Sequence, residues 1–143
     1  LFLAHREYGE WSTFKRVDEL SLPASWDSQA ALSANGDRII FSSDRPGGRG
    51  GLDLWMSVRT AGGTWSAPEN LGPAINTDGD EKAPFLHADG TTLFFSSNGH
   101  PGVGGFDGSC RFGPWLCLAA DPPESAGRDR AAQSRDGEHL YAC

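Results

Sequence analysis

The sequence predicts an all-β protein made of repeated four-stranded antiparallel units. Three observations support this class: a repeat of 54 residues, a glycine-containing turn at the same place in each copy, and no helical periodicity between residues 7 and 107. Apolar residues occur in short bursts bounded by glycine, proline and polar residues, a pattern typical of short strands joined by turns. With 143 residues, the chain has about the size of one domain.

The repeat is an ungapped match of the chain with itself. Residues of rare types recur at one constant offset, which indicates a duplicated structural unit. The aligned pairs are Trp11-Ser12 with Trp65-Ser66, Asp27 with Glu81, Asn35-Gly36 with Asp89-Gly90, residues 41–44 with residues 95–98, Gly48 with Gly102, Gly50-Gly51 with Gly104-Gly105, and Asp53 with Asp107.

Each copy divides into strands at its turns. Asn35-Gly36 is a dipeptide favoured in tight hairpins, and it joins the first two strands. A glycine-rich loop over residues 43–51 separates the second strand from the third, and Pro68 ends the fourth because proline cannot donate to a sheet ladder. The predicted strands cover residues 29–33, 38–42, 52–58 and 64–67 in the first copy, and 82–86 and 91–96 in the second.

Both copies contain a strand with apolar residues at consecutive positions, Ile39-Ile40-Phe41 and Leu93-Phe94-Phe95. A strand with one face in water would alternate apolar with polar residues. We therefore expect the sheets to be covered on both faces, as in blades stacked around the axis of a β-propeller. The predicted fold is an all-β, partial β-propeller of four-stranded antiparallel blades. A solenoid with fewer strands per repeat is the alternative.

The register of the repeat sets the expected domain boundaries. Leu1 aligns with Trp55, so the chain would begin inside a third strand. Residues 1–107 are then a propeller fragment, with one full blade over about residues 27–71 and partial blades on either side. The absence of an initial methionine indicates a fragment or a processed product.

The C-terminal third departs from the repeat. After Asp107 the repeat predicts an apolar strand, but Gly108-Ser109-Cys110-Arg111 follows. We expect residues 108–143 to be a degenerate or damaged propeller repeat with poor packing. The cysteines of the chain, which are odd in number and show no metal-binding spacing, all lie in this part: Cys110, Cys117 and Cys143.

The first 107 residues resemble the WD-repeat-like propeller repeat of the TolB type, which is found in bacterial envelope proteins. The matching segments are residues 32–36, 41–48, 50–55, 65–72 and 75–81. This resemblance implies a non-catalytic interaction or scaffold module of a periplasmic or cell-envelope protein. Its expected partners are another protein of the envelope and the remaining blades of the parent propeller. Fold by itself does not determine function, so this inference is one of analogy.

Candidate ligand contacts lie in the glycine-rich loops and in the connection between copies. Propeller connectivity places these segments at the same end of the blades. The loops lack the Gly-Lys-Ser/Thr signature of a phosphate-binding loop. For the glycine-rich loops a purely structural role is favoured over a ligand-facing one, because an element that recurs in each copy more often maintains the fold. The candidate contacts are Asp44, Arg45, Asn76, Asp80, Asn98 and His100.

A second set of residues is expected to have structural roles. Asp53 and Asp107 precede the third strands and would brace the glycine-rich loops. Trp11 and Trp65 share one repeat position, where packing between blades is favoured over a sugar-binding platform. Glu81 would accept backbone hydrogen bonds at the start of its strand.

No catalytic centre, metal site or cofactor is expected. The chain has no GxSxG motif, and its histidines lack HxH or HExxH spacing. Residues 76–81 contain closely spaced oxygen ligands, so calcium binding is the alternative to a polar turn, but the EF-hand pattern is incomplete. The alternative function is a propeller fragment of a glycan-cleaving hydrolase or of a prolyl-oligopeptidase-like peptidase, whose active site would need residues of other blades.

Charge and hydropathy exclude two further classes of function. The chain has 12 Lys and Arg against 19 Asp and Glu, a net charge of -7. A surface of this sign repels nucleic-acid backbones, so we expect no nucleic-acid partner. No apolar run reaches the roughly 18 residues that a membrane-spanning helix needs.

Overall fold

The computed structural model describes residues 1–101, 107–112 and 116–118, with side chains described for residues 1–101. Antiparallel strands dominate, and the described residues contain one turn of 3-10 helix at Asp18–Leu20 and no α-helix. The all-β class is therefore confirmed for this part of the chain. The strands are β1 (Phe2–Leu3), β2 (Arg6–Glu7), β3 (Glu10–Trp11), β4 (Lys15–Arg16), β5 (Asp27–Leu32), β6 (Arg38–Ser43), β7 (Asp53–Val58), β8 (Glu69–Asn70), β9 (Glu81–Leu86), β10 (Leu93–Ser97), β11 (Asp107–Phe112) and β12 (Leu116–Leu118).

The central sheet has the order β5-β6-β7-β8, with every neighbouring pair antiparallel. The first three strands lie close to the predicted positions. The fourth was expected over residues 64–67, but it is the shorter β8, and residues 64–67 contribute only an isolated bridge between Arg59 and Trp65. Backbone and side-chain hydrogen bonds both hold this segment, since the Ser66 N–H donates to the Val58 carbonyl at 2.9 Å and the Ser66 hydroxyl accepts the Val58 N–H at 3.1 Å.

The second sheet repeats this order as β12-β11-β10-β9. Its third strand, β11, pairs with β10 along its length from Asp107 to Arg111. The backbone therefore forms a strand at the expected third position although the apolar pattern is lost there, because ladder pairing needs only backbone groups. The expected poor packing after residue 107 concerns side chains that lie outside the described residues.

Apolar cores cover both faces of the central sheet, as the sequence predicted. Ile39 and Phe41 belong to a first core, which Leu1, Leu3, Val17 and Leu20 complete from the N-terminal segment. Ile40, between them in the chain, belongs to a second core on the opposite face. That second core also contains Leu54 from β7 and, from the second sheet, Leu86, Leu93 and Phe95.

The N-terminal segment forms two small antiparallel ladders, β1 with β4 and β2 with β3. Phe2 pairs with Arg16 as Trp55 pairs with Asn70 in the central sheet. Phe2, and not Leu1 as the constant offset predicted, is therefore the structural counterpart of Trp55. The N-terminal hairpin is one residue shorter than the later one, so the constant offset fails at β1.

Candidate functional site

Three segments meet at one end of the two sheets, which we call the loop end. They are the glycine-rich loop 44–52, the connection 71–80 and residues 98–101 after β10. The antiparallel order brings these segments to one end of the sheets. In the central sheet β6 ends beside the start of β7, and in the second sheet β10 ends beside the start of β9. All six candidate ligand contacts belong to these segments.

Hydrogen bonds join the three segments into one unit. The Gly51 N–H donates to the Gly79 carbonyl at 3.0 Å, and the Leu52 N–H donates to the Asp80 carboxylate at 2.9 Å. The Asp80 N–H in turn donates to the Asn98 side-chain oxygen at 2.6 Å. A side chain at Gly50 would overlap the Gly79 carbonyl oxygen, so this approach needs glycine.

Arg45 lies in the interior, with 6% of its surface exposed. Its guanidinium donates to the Asp27 carboxylate at 2.8 Å and to the Leu20 carbonyl at 2.7 Å, and it lies over the ring of Phe41 with 4.7 Å to the centroid. Burial opposes ionisation of Asp27, but hydrogen bonds from Arg45 and a serine hydroxyl outweigh it and hold the pKa of Asp27 below its ordinary value. These contacts engage the guanidinium within the fold and leave little of Arg45 at the surface of the loop end.

Asn76 is also interior and is 1% exposed. Its side-chain oxygen accepts the Leu54 N–H at 2.8 Å, and its amide nitrogen donates to the Leu54 carbonyl and to Asn70, both at 2.9 Å. Asn76 thus takes the place of a strand neighbour at the edge of β7. The His100 ring nitrogen is similarly engaged with the Ile75 carbonyl at 2.7 Å.

The remaining candidates reach the surface of the loop end. Asp44 and Asn98 are exposed, and Asp44 accepts the Trp26 N–H at 2.7 Å. Asp80 is partly exposed, and its ion-paired hydrogen bond with Lys82, at 3.0 Å, is the main cause of a pKa below the ordinary aspartate value.

Sequence reasoning missed two surface residues of the loop end. Arg49 and Asp78 face each other at 3.6 Å with exposed fractions of 47% and 92%. The available signal was their position, since both stand next to glycines at the tips of their segments. Asp44, Arg49, Asp78 and Asn98 together form the exposed polar surface of the loop end.

Two of the residues expected to have structural roles, Asp53 and Glu81, are buried. Asp53 is 1% exposed and accepts the Arg49 N–H at 2.6 Å, which braces the glycine-rich loop. Burial raises the pKa of Asp53, and its second carboxylate oxygen is buried with no hydrogen-bond partner in the described residues. Glu81 is fully buried and accepts the Thr77 N–H at 3.0 Å and the Ser97 hydroxyl at 2.6 Å.

The other residues expected to have structural roles are Trp11, Trp65 and Asp107. Trp65 packs against the first core, with Arg59 over its ring at 6.0 Å from the centroid. Trp11 is 69% exposed, so the expected packing between units is not met among the described residues. The side chain of Asp107 lies outside the described residues.

In the part of the chain that the structure describes, no group of three or more His, Cys, Asp and Glu side chains is arranged to hold a metal ion. The same residues contain no helix that is long and apolar enough to cross a membrane.

No protein-family model matches the chain, and no curated protein matches it.

Proposed function

We propose that this chain is a non-catalytic interaction or scaffold module, built from consecutive β-propeller blades of a bacterial cell-envelope protein. One observation carries the proposal: two four-stranded antiparallel sheets, each with its strands in chain order, stack on a shared apolar core. Four strands per repeat favour blades over a solenoid with fewer strands. The first apolar core, between the N-terminal segment and the central sheet, supports a third consecutive unit to which the N-terminal segment belongs.

The binding surface of this module is the loop end. Its exposed polar groups are Asp44, Arg49, Asp78 and Asn98, which offer charge of both signs and amide hydrogen bonds. They stand on segments that are already cross-linked by hydrogen bonds, so binding would order little additional chain. Such a preorganised polar surface suits another protein with complementary charges.

The test locates the partner and then measures its affinity. A photo-crosslinking residue at position 78, in the chain exported to the periplasm, should capture an envelope protein. The same crosslinking residue at position 69, an exposed position of strand β8 outside the loop end, should not capture it. With that partner purified, Asp78→Lys should weaken binding several-fold, mainly through slower association.

Glu69→Lys is the matched control, because it makes the same charge change at an exposed site outside the loop end. Equal crosslinking at both positions would contradict the proposed surface. So would a partner whose affinity falls with Glu69→Lys and not with Asp78→Lys.

A further inference from the structure

Two Asn-Gly dipeptides occur in the sequence, Asn35-Gly36 between β5 and β6 and Asn98-Gly99 after β10. In such a dipeptide the glycine backbone nitrogen can attack the asparagine side-chain carbonyl carbon, because glycine has no side chain to hinder the approach. Ammonia leaves and a succinimide ring forms. Water then opens the ring, at the side-chain carbonyl to give aspartate or at the main-chain carbonyl to give isoaspartate. The reaction consumes water, releases ammonia and needs no enzyme.

The surroundings of Asn35 favour the first step of this reaction. Its side-chain oxygen accepts the Ser33 hydroxyl at 2.8 Å and the Asp37 N–H at 3.3 Å. This oxygen gains negative charge when the neighbouring carbon is attacked, and donors that are already directed at it stabilise that charge. Asn35 is also exposed at the tip of its hairpin, which gives water access to the ring in the second step.

The attacking nitrogen of Gly36 is held only within its own turn. Its N–H donates to the Ser33 carbonyl at 2.9 Å, and a β-carbon added at Gly36 would meet no atom within 4 Å. Release of this nitrogen therefore breaks a hydrogen bond inside one hairpin tip and no packing around Gly36. Local openings of this kind need little free energy.

Asn98-Gly99 is the same dipeptide in a restrained position. The Asn98 side-chain oxygen accepts the Asp80 N–H at 2.6 Å and so joins two segments of the loop end. A β-carbon added at Gly99 would overlap the Thr77 hydroxyl, so this glycine packs closely against the connection between the sheets. Release of the Gly99 nitrogen requires these segments to separate.

We infer that Asn35 is a site of spontaneous deamidation in the folded protein, whereas Asn98 is protected. The second unit shows how an aspartate fits this turn, because Asp89 stands 54 positions after Asn35. The Asp89 carboxylate accepts the Thr91 and Thr92 N–H groups, both at 2.8 Å. Isoaspartate fits poorly, because it adds a main-chain carbon to a turn whose length sets the pairing of β5 with β6. The inference does not rest on the function of the loop end.

Peptide mapping by mass spectrometry measures both reactions, after the full chain is incubated at physiological temperature and mildly alkaline pH. Deamidation of the folded chain should be at least about ten-fold faster at Asn35 than at Asn98, because only Asn98 must first break contacts between segments. In concentrated urea, where both dipeptides are unfolded, the two rates should become similar. Equal rates in the folded chain would overturn the inference, as would an Asn35 amide that outlasts that of Asn98.

Urea denaturation tests the effect of the product on the turn. The variant Asn35→Asp adds the charge without the main-chain carbon, and it should unfold close to the unsubstituted chain. The deamidated fraction, isolated by ion exchange, contains isoaspartate as well and should begin to unfold at a lower urea concentration than the variant. A marked loss of stability in the variant would contradict the fit inferred from Asp89. A deamidated fraction that contains isoaspartate and unfolds like the variant would overturn the proposed effect on the turn.

Discussion

Replacing Asn76 with alanine should lower the free energy of unfolding by about 2–3 kcal/mol. The change leaves the buried Leu54 N–H without the acceptor that it has at 2.8 Å. An unsatisfied buried N–H costs about 1–3 kcal/mol, and the lost amide volume adds to this. The Leu54 carbonyl keeps the Leu71 N–H, and Asn70 keeps the Gly72 N–H, so the loss is confined to one orphaned group.

Urea denaturation, followed by tryptophan fluorescence, measures this change. Asn98→Ala is the control, because Asn98 is exposed and water can replace the hydrogen bond that its side-chain oxygen accepts from Asp80, so its effect should stay within about 0.5 kcal/mol. Asn76→Asp should be less stable than Asn76→Ala at neutral pH, where it buries a charge, and should recover in acid as the carboxyl becomes protonated. If Asn76→Ala unfolds within about 0.5 kcal/mol of the unsubstituted chain, the assigned strand-like role of Asn76 is wrong.

Two further predictions concern the buried ion pair of Asp27 with Arg45 and the glycine-rich loop. The folded-state pKa of Asp27 lies below 3.8, so its stabilisation is present above that pH and is lost as pH falls through the folded-state pKa. Asp27→Asn should therefore flatten the acid side of the stability profile, measured by urea denaturation below neutral pH, and an unchanged slope would refute this. Gly50→Ala should destabilise by about 1–3 kcal/mol, because its methyl group would overlap the Gly79 carbonyl. Gly62→Ala has room for the methyl group at an ordinary φ and should stay within about 0.5 kcal/mol in the same assay; an equal loss in both variants would exclude the clash as the cause.

The sequence was a good guide to the strands because pairing follows two simple patterns. Turn dipeptides at fixed repeat positions located the hairpins, and consecutive apolar residues such as Ile39 and Ile40 indicated a sheet covered on both faces. The constant offset failed at β1, because a one-residue change in a hairpin alters the register without altering the residues on either side. The pairings of Phe2 with Arg16 and of Arg6 with Trp11 show the corrected register.

The candidate site was harder to predict, because charge and polarity do not tell whether a loop side chain points outward. Arg45 and Asn76 are polar loop residues of the kind expected to contact a ligand. Their hydrogen-bond partners Asp27 and Leu54, however, lie 18 and 22 positions away in the sequence. Irregular backbone conformations could not be predicted from the residue types either. Gln29 and its repeat equivalent Ala83 both have positive φ, at 50° and 49°, in residue types that give no warning of it.

The shared cores have a consequence for how the chain folds during synthesis. When a nascent chain has emerged only as far as Asn70, the central sheet can complete its first core with residues 1–20, but Ile40 and Leu54 still lack the strands that cover them. The face of each unit that packs against the following unit therefore stays exposed until the next hairpin has been synthesised. We therefore expect folding during synthesis to advance one unit at a time, and a ribosome that stalls between units to leave an apolar sheet face exposed to solvent and to neighbouring chains.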